Sequence, residues 1–202
     1  MLVTLDYLAV LVFALTGALV ASRAQLDLIG FAFLASLTGL GGGTLRDVLL
    51  DRTPIWIGDP AFLGICVSAA VLVFFTAHRL ESRLTAILWL DAAALSVAVA
   101  AGAGVTQRLG LPGPIVVVMG MLTGCAGGLM RDVVANEVPL VLKRGEIYVT
   151  AALLGSLAVL LTPLIGLLLA SMLCGAITFI MRAGSIRLGW SLPTYKPRPP
   201  RR

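Results

Sequence analysis

The chain has 202 residues, 59% of them hydrophobic and only 12% charged, with 15 Lys and Arg against 10 Asp and Glu. A soluble domain is about 45–50% apolar and about 25% charged, so a mean hydropathy of +1.02 excludes a soluble enzyme and predicts an all-α membrane protein. The net charge of +5 comes without any RNA- or DNA-binding motif, so no nucleic acid is expected as a partner.

A bilayer core of about 30 Å takes about 20 apolar residues per helix, and seven segments qualify. The first, Leu5–Ser22, is followed by the small residues from Ala18 to Ala24 in the manner of a cleaved leader. No basic residue precedes it, as a leader requires, so it is read as a mature transmembrane helix. Leu28–Leu50 and Ala61–Ala77 follow, the latter ending at His78 and Arg79, an interfacial pair. Then come Ala86–Thr106, Pro114–Ala135, Ile147–Leu161 and Leu164–Met181. Between the last two stands Thr162-Pro163, where proline forbids a continuous helix, which predicts a tight hairpin at one membrane face. From Ala183 to Arg202 the chain is rich in Pro and basic residues. Pro193, Pro197, Pro199 and Pro200 exclude a helix, and Lys196, Arg198, Arg201 and Arg202 form a tail drawn weakly to anionic lipid. Trp56, Trp89 and Trp190 fall at the expected interfaces. Cys66, Cys125 and Cys174 all lie inside spans without metal-ligand spacing, and are read as buried free thiols. No metal cluster, phosphate loop or nucleophile–base constellation is present, so neither a cofactor nor an enzymatic activity is expected.

The chain repeats itself. Comparing residue i with i+85 from Leu5 to Pro54, without a gap, gives 18 identities in 50 positions. Apolar composition explains some matches at Ala, Leu and Val, but not Asp6 on Asp91, Arg23 on Arg108, Arg46 on Arg131, Asp47 on Asp132 and Pro54 on Pro139. Each copy holds three spans, an odd number, so the second enters the membrane from the opposite side and the two form an inverted repeat. The organisation is therefore residues 1–84 as the first copy, 85–162 as the second, 163–182 as an unpaired seventh helix, and 183–202 as the tail. With seven crossings, one face carries Arg46, Arg52 and Arg108, and the other carries the remaining twelve basic residues. The excess of Lys and Arg marks the cytoplasmic side, placing the N-terminus outside and the C-terminus in the cytoplasm.

The repeat contains its most unusual phrase twice: Thr38-Gly39-Leu40-Gly41-Gly42-Gly43-Thr44-Leu45-Arg46-Asp47 and Thr123-Gly124-Cys125-Ala126-Gly127-Gly128-Leu129-Met130-Arg131-Asp132. Glycine costs a helix about 1 kcal/mol relative to alanine, and charge inside a span is expensive. In inverted-repeat transporters and channels, interrupted helices at matching positions line the substrate or ion path. Gly41, Gly42 and Gly43, with Gly127 and Gly128, are accordingly expected to hinge the second and fifth spans, the freed carbonyls facing the path. The competing reading is close helix packing through small residues. Thr38 and Thr123 either bond carbonyls near the hinge or offer hydroxyls to the path. Arg46 and Arg131 either snorkel to the headgroups or face an aqueous vestibule, one on each side. Adjacent helical residues point about 100° apart, so Arg46 and Arg131 are expected to pair with another span or across the repeat (Arg46 with Asp132) rather than with Asp47 and Asp132 beside them. Asp6 and Asp91 are read as acids complementing a helix dipole.

Seven spans, a duplicated three-span unit and the phrases GLGGGTLRD and GCAGGLMRD resemble the prokaryotic TRIC (trimeric intracellular cation) channels, over residues 5–182. The three-span unit is also similar to the bacterial domain labelled a glycine transporter. The resemblance implies a homotrimer in the inner membrane with one pore per protomer, permeable to K⁺ and less so to Na⁺. It also implies kinks at Gly41, Gly42 and Gly43 and at Gly127 and Gly128, and a pore-facing role for Arg46 and Arg131. Ala126, where the first copy has Gly41, implies a stiffer second hinge. A secondary transporter of a small solute such as an amino acid is the alternative.

Overall fold

The computed structural model describes residues 2–79, 83–143 and 145–193. Eight α-helices follow one another: α1 (Leu2–Arg23), α2 (Leu28–Leu49), the one-turn α3 (Ile55–Gly58), α4 (Ala61–Thr76), α5 (Arg83–Arg108), α6 (Gly113–Val134), α7 (Val149–Ala158) and α8 (Thr162–Leu188). Short 3₁₀ turns occupy 77–79, 140–142 and 159–161, and no strand occurs among the described residues.

Four helices close a ring. α1 packs on α2, α2 on α6, α6 on α5 and α5 back on α1, while α4 covers α1 and α2 and the pair α7–α8 covers α5. Small residues permit this approach: Ala14, Ala18, Ala92, Ala101 and Ala103 are fully buried, and without a long side chain the backbones come close. The outer surface carries Phe33, Leu72, Phe75, Leu164 and Met172 in the open. Helices apolar on their outward faces belong in lipid. Six stretches are long and apolar enough to cross a membrane, the last being Val149–Leu188.

That last stretch is two antiparallel legs, which makes seven passes. The reversal is not at Thr162-Pro163, as expected, but at Gly166, the residue inside α8 with non-helical backbone (φ 77°, ψ 156°). Pro163 sits in the first turn of α8, where its missing N–H has no partner to lose; the left-handed turn falls to glycine. Across the hairpin the legs touch closely, since a Cβ built on Gly155 would lie 1.9 Å from Thr178 Oγ1 and 2.8 Å from the Cys174 carbonyl oxygen. A second correction concerns the tail. The helix of the seventh span continues through Ala183 to Leu188 and is capped by left-handed Gly189 (φ 68°), because the helix-excluding prolines begin only at Pro193. Arg144 and the basic residues from Lys196 onward lie outside the described residues.

Backbone geometry repeats with the sequence. The left-handed residues ending α1 and α5 are Gln25 (φ 54°) and Gly110 (φ 70°), and those ending α2 and α6 are Asp51 (φ 52°) and Asn136 (φ 56°), each pair 85 apart. After α2 the Arg52 N–H returns to the Asp47 carbonyl at 2.8 Å, and after α6 the Glu137 N–H returns to that of Asp132 at 2.8 Å, the same helix-ending loop. The helix starts have diverged. Asp27 caps α2 by accepting from the Gly30 N–H at 2.7 Å, whereas α6 begins with Pro112 at the cap position and Pro114 in its first turn.

Candidate functional site

The two arginines of the repeated phrase are fully buried, so neither snorkels. Near the end of α2, Arg46 grips two carboxylates. Its Nε donates to Asp47 Oδ1 at 2.9 Å and its NH2 to Asp47 Oδ2 at 3.2 Å, while NH1 donates to Asp6 Oδ1 of α1 at 2.8 Å. Arg131 of α6 repeats the pattern with Asp132 Oδ1 (2.7 Å) and Asp91 Oδ1 of α5 (2.9 Å). The carboxylates are held in turn: Asp47 Oδ2 accepts the Ile55 N–H at 3.2 Å and Asp132 Oδ2 accepts the Leu140 N–H at 2.9 Å. Every member of one triad is 85 residues from its counterpart.

This arrangement corrects three expectations. Adjacency did not keep Arg46 from Asp47, because a long guanidinium stem folds back along the helix end and meets the neighbouring carboxylate side-on. A partner on another span is also present, but within the same copy: Arg46 and Asp132 do not pair. Asp6 and Asp91 are ion-pair partners rather than dipole acids, and Asp91 lies two turns inside α5. Their signal in the sequence was the in-register Asp–Asp match inside two apolar spans. Removing one partner of a buried pair leaves an uncompensated charge and costs about 3–5 kcal/mol, so each triad fastens its two helices together.

Besides the exposed Arg23–Glu137 pair at 3.2 Å, a buried bond of the second triad crosses between the copies. Arg131 NH1 also donates to Thr16 Oγ1 of α1 at 2.8 Å. The counterpart of Thr16 is Ala101, which has no hydroxyl, so the first triad has no such link. The second triad also has a neighbour that the sequence shows only as one of the basic residues of the cytoplasmic face. Arg182 of α8 is fully buried, pairs with Glu146 at 3.0 Å and lies over the Tyr148 ring at 4.7 Å. No in-register match could reveal it, since α8 lies outside the duplication.

Between the triads, α2 and α6 cross. Both helices run unbroken through their glycines, so the expected interruption at Gly41, Gly42, Gly43, Gly127 and Gly128 is absent and the packing reading holds at the crossing. A Cβ built on Gly42 would lie 2.2 Å from the Thr123 carbonyl oxygen, and one on Gly127 2.4 Å from that of Thr38. Only glycine allows this backbone contact. Gly41 faces Met130, whereas Gly43 is nearly open: a Cβ built there would meet Ile55 Cδ1 first, at 3.7 Å. Thr38 and Thr123 donate to the Leu34 and Met119 carbonyls of their own helices, each at 2.6 Å, and pack onto Gly17 and Gly102, where a Cβ would meet their hydroxyls at 2.5 and 2.3 Å.

Beside an apolar groove over Gly41 and Met130, two cavities lined by charged residues of the triads approach the crossing. One of about 300 Å³ is lined by Arg23, Glu137 and Lys143 and reaches inward to Arg131 and Asp132. The other, of about 20 Å³, is lined by Asp6, Gly42, Gly43 and Thr123. Among the described residues no cluster of His, Cys, Asp and Glu could hold a metal ion.

The sequence matches the family model described as "Glycine transporter" twice, over residues 3–78 and 88–163, in keeping with the 85-residue offset. A membrane protein of Vibrio cholerae is 36% identical over 200 residues, covering 96% of this chain and 83% of its own length. The inner membrane protein YadS of Escherichia coli is likewise 36% identical, covering 95% of this chain and 94% of that one. Among solved structures, the TRIC trimeric intracellular cation channel orthologue from Rhodobacter sphaeroides superposes with a TM-score of 0.89 at 41% identity, over 93% of this chain and 98% of that one. A prokaryotic TRIC channel crystallised in KCl gives a TM-score of 0.88 at 29% identity, over 95% and 98%. The chain belongs to the Glycine transporter family, of whose three-helix unit it carries two inverted copies, and within it to the prokaryotic TRIC channels.

Proposed function

We propose that the protein is a monovalent-cation channel, permeable to K⁺ and to Na⁺, with one pore per protomer through the ring of α1, α2, α5 and α6. The observation that carries this reading is the composition of the triads. Each sets two carboxylates against one guanidinium, so with all three ionised each has a net charge of −1. An arginine in a cation path is then no contradiction, because it is over-neutralised where it stands. A ring of polar, net-negative sites at both ends of a narrow interface favours cations and repels anions. The pathway residues are Arg46, Asp47, Arg131 and Asp132 with Asp6 and Asp91, and the barrier is the crossing of Thr38, Gly41 and Gly42 on Thr123 and Gly127, with Gly43 and Gly128 flanking it beside the two triads. With the larger cavity stopping at Arg131 and the smaller one beyond the crossing, this is a closed form whose opening requires α2 and α6 to part.

The Rhodobacter sphaeroides relative is described as trimeric, and a homotrimer in the inner membrane is the assembly we propose here. The positive-inside rule supports the orientation. Setting aside the buried Arg46, Arg131 and Arg182, the described basic residues are Arg52 and Arg108 on the N-terminal face and Arg23, Arg79, Arg83, Lys143 and Arg187 opposite, which supports a cytoplasmic C-terminus beside anionic lipid. The family description supports the second reading, a carrier of a small solute such as an amino acid. Purified protein in a planar bilayer under a KCl gradient decides between them. Unitary currents with a cation-selective reversal potential are expected; saturable amino-acid uptake without unitary current would replace the channel with the carrier.

A further inference from the structure

We infer that Arg182 is a positioning residue for the second triad: acting through Tyr148, it holds the Arg131 end of the path closed, so the two ends are not gated alike. The inference rests on the channel reading for its consequence, but its structural basis is independent. Arg182 comes from the helix outside the duplication, is fully buried, and is held by Glu146 at 3.0 Å. Its guanidinium carbon stands 4.7 Å from the centre of the Tyr148 ring, a cation–π contact of the strong, desolvated kind. Tyr148, itself buried, projects its hydroxyl to the bare face of Gly128. There it converges with the second triad: the Cβ that Gly128 lacks would lie 3.3 Å from Tyr148 Oη, 3.3 Å from Asp91 Oδ1 and 3.7 Å from Arg131 NH2. One contact chain thus runs from α8 to the charges between α5 and α6.

The first copy has nothing of the kind. A Cβ built on Gly43, the counterpart of Gly128, would meet the Ile55 methyl at 3.7 Å and Arg46 NH2 at 4.0 Å, and the residue 85 before Tyr148 is Leu63. Polar satisfaction differs too. Every nitrogen of Arg46 has a partner, whereas Arg131 NH2, Asp91 Oδ2 and Nε and NH2 of Arg182 are buried without one. Buried unpartnered groups are costly. The bonds of Arg131 to Asp132, Asp91 and Thr16 hold the triad from one side, and where the unpartnered atoms leave it without bonds it is held by packing, here the Tyr148 ring between Arg182 and Gly128. Loosening Arg182 frees the ring and lets the second triad relax toward the 300 Å³ cavity that already reaches Arg131.

The test uses the full chain with Cys66 and Cys174 replaced by alanine, leaving Cys125. That residue is partly exposed and within electrostatic reach of both Asp91 and Arg182. Arg182→Gln is expected to speed N-ethylmaleimide labelling of Cys125 and to raise open probability in planar bilayers, each about 3- to 10-fold, the range for loss of a coupling contact. The reversal potential in a KCl gradient should not move. Arg182→Lys keeps the charge and should restore wild-type values, which a general loss of packing would not allow. Tyr148→Phe keeps the ring but removes the hydroxyl at Gly128; it should reproduce the rise in open probability, and the double variant should add nothing. Should Arg182→Gln fail to fold, Tyr148→Phe carries the test alone. Unchanged labelling and gating in the variants, or additive effects, would overturn the coupling. Altered labelling in the variants of a protein that carries no current even as wild type would uphold the coupling and overturn the channel.

Discussion

Gly42→Ala and Gly43→Ala, side by side in one helix, separate the two meanings of the glycine run. If the glycines serve helix flexibility, both changes stiffen α2 equally. If they serve contact, only one matters. The methyl group introduced by Gly42→Ala would fall 2.2 Å from the Thr123 carbonyl oxygen, where ordinary contact begins at about 3.4 Å, so α2 and α6 must separate by roughly 1 Å. Overpacking of this kind costs about 1–3 kcal/mol, and because the obstacle is backbone the upper half of that range, about 2 kcal/mol, applies. For a chain of this length that is roughly 4–8 °C in midpoint. The methyl group introduced by Gly43→Ala meets nothing closer than 3.7 Å, and replacing a helical glycine there should stabilise by about 0.5–1 kcal/mol. Thermal unfolding of the purified variants in one detergent, read by the loss of monodisperse protein, gives both numbers. A Gly42→Ala protein as stable as wild type, or a Gly43→Ala protein harmed as much as its neighbour, would refute the contact argument.

Asp91→Asn keeps the shape of the second triad but removes its excess negative charge and leaves Arg131 with one carboxylate. It should cost about 3 kcal/mol and move the KCl reversal potential toward zero. Asp6→Asn should act in the same direction and less strongly on stability, since Asp6 is slightly exposed whereas Asp91 is not. Thr16→Ala removes the hydroxyl that joins α1 to Arg131 and should cost about 1.5–3 kcal/mol, as expected for a hydrogen bond to a charged group. At the N-terminal face, hydrogen bonds from the Tyr7 hydroxyl and the Ala61 N–H hold the Asp59 carboxyl below its ordinary value of 3.8. Because the folded value is the lower one, this link is complete above the ordinary value and is lost as pH falls through the folded one. The midpoint difference between wild type and Asp59→Asn should therefore be constant near neutrality and shrink on acidification, and a difference that grew in acid would contradict the assignment.

The lipid-facing helices, the duplication and the arginine–aspartate phrases were legible because each follows from composition or from spacing at a fixed offset. The triads were only half legible. Asp6 and Asp91 carried the offset signal, yet a helix-dipole role explained them locally, and only the fold brings them onto Arg46 and Arg131. The glycines misled because flexibility and close approach use the same residue; which one holds depends on the backbone opposite, here Thr123 and Thr38. The reversal at Gly166 was hidden behind Pro163, a stronger helix breaker in general but harmless in a first turn. Arg182 was invisible for a different reason: a lone basic residue near a span end looks like any interfacial cation until Glu146 and Tyr148 are folded against it.

The crossing of α2 and α6 has the grammar of a homodimer. Gly42 meets the Thr123 carbonyl and Gly127 meets that of Thr38; exchanging the copies, 42 for 127 and 38 for 123, returns the same pair of contacts. An interface that maps onto itself in this way is isologous, so a single three-helix unit could build it with a twin inserted upside down. Such a twin pair needs each unit to adopt both orientations in the bilayer in equal numbers. Joining the two in one chain removes that requirement, fixes the stoichiometry at one to one, and frees each half to drift. Thr16 without a matching hydroxyl at Ala101, and Tyr148 where the other half has Leu63, are what that freedom has so far produced.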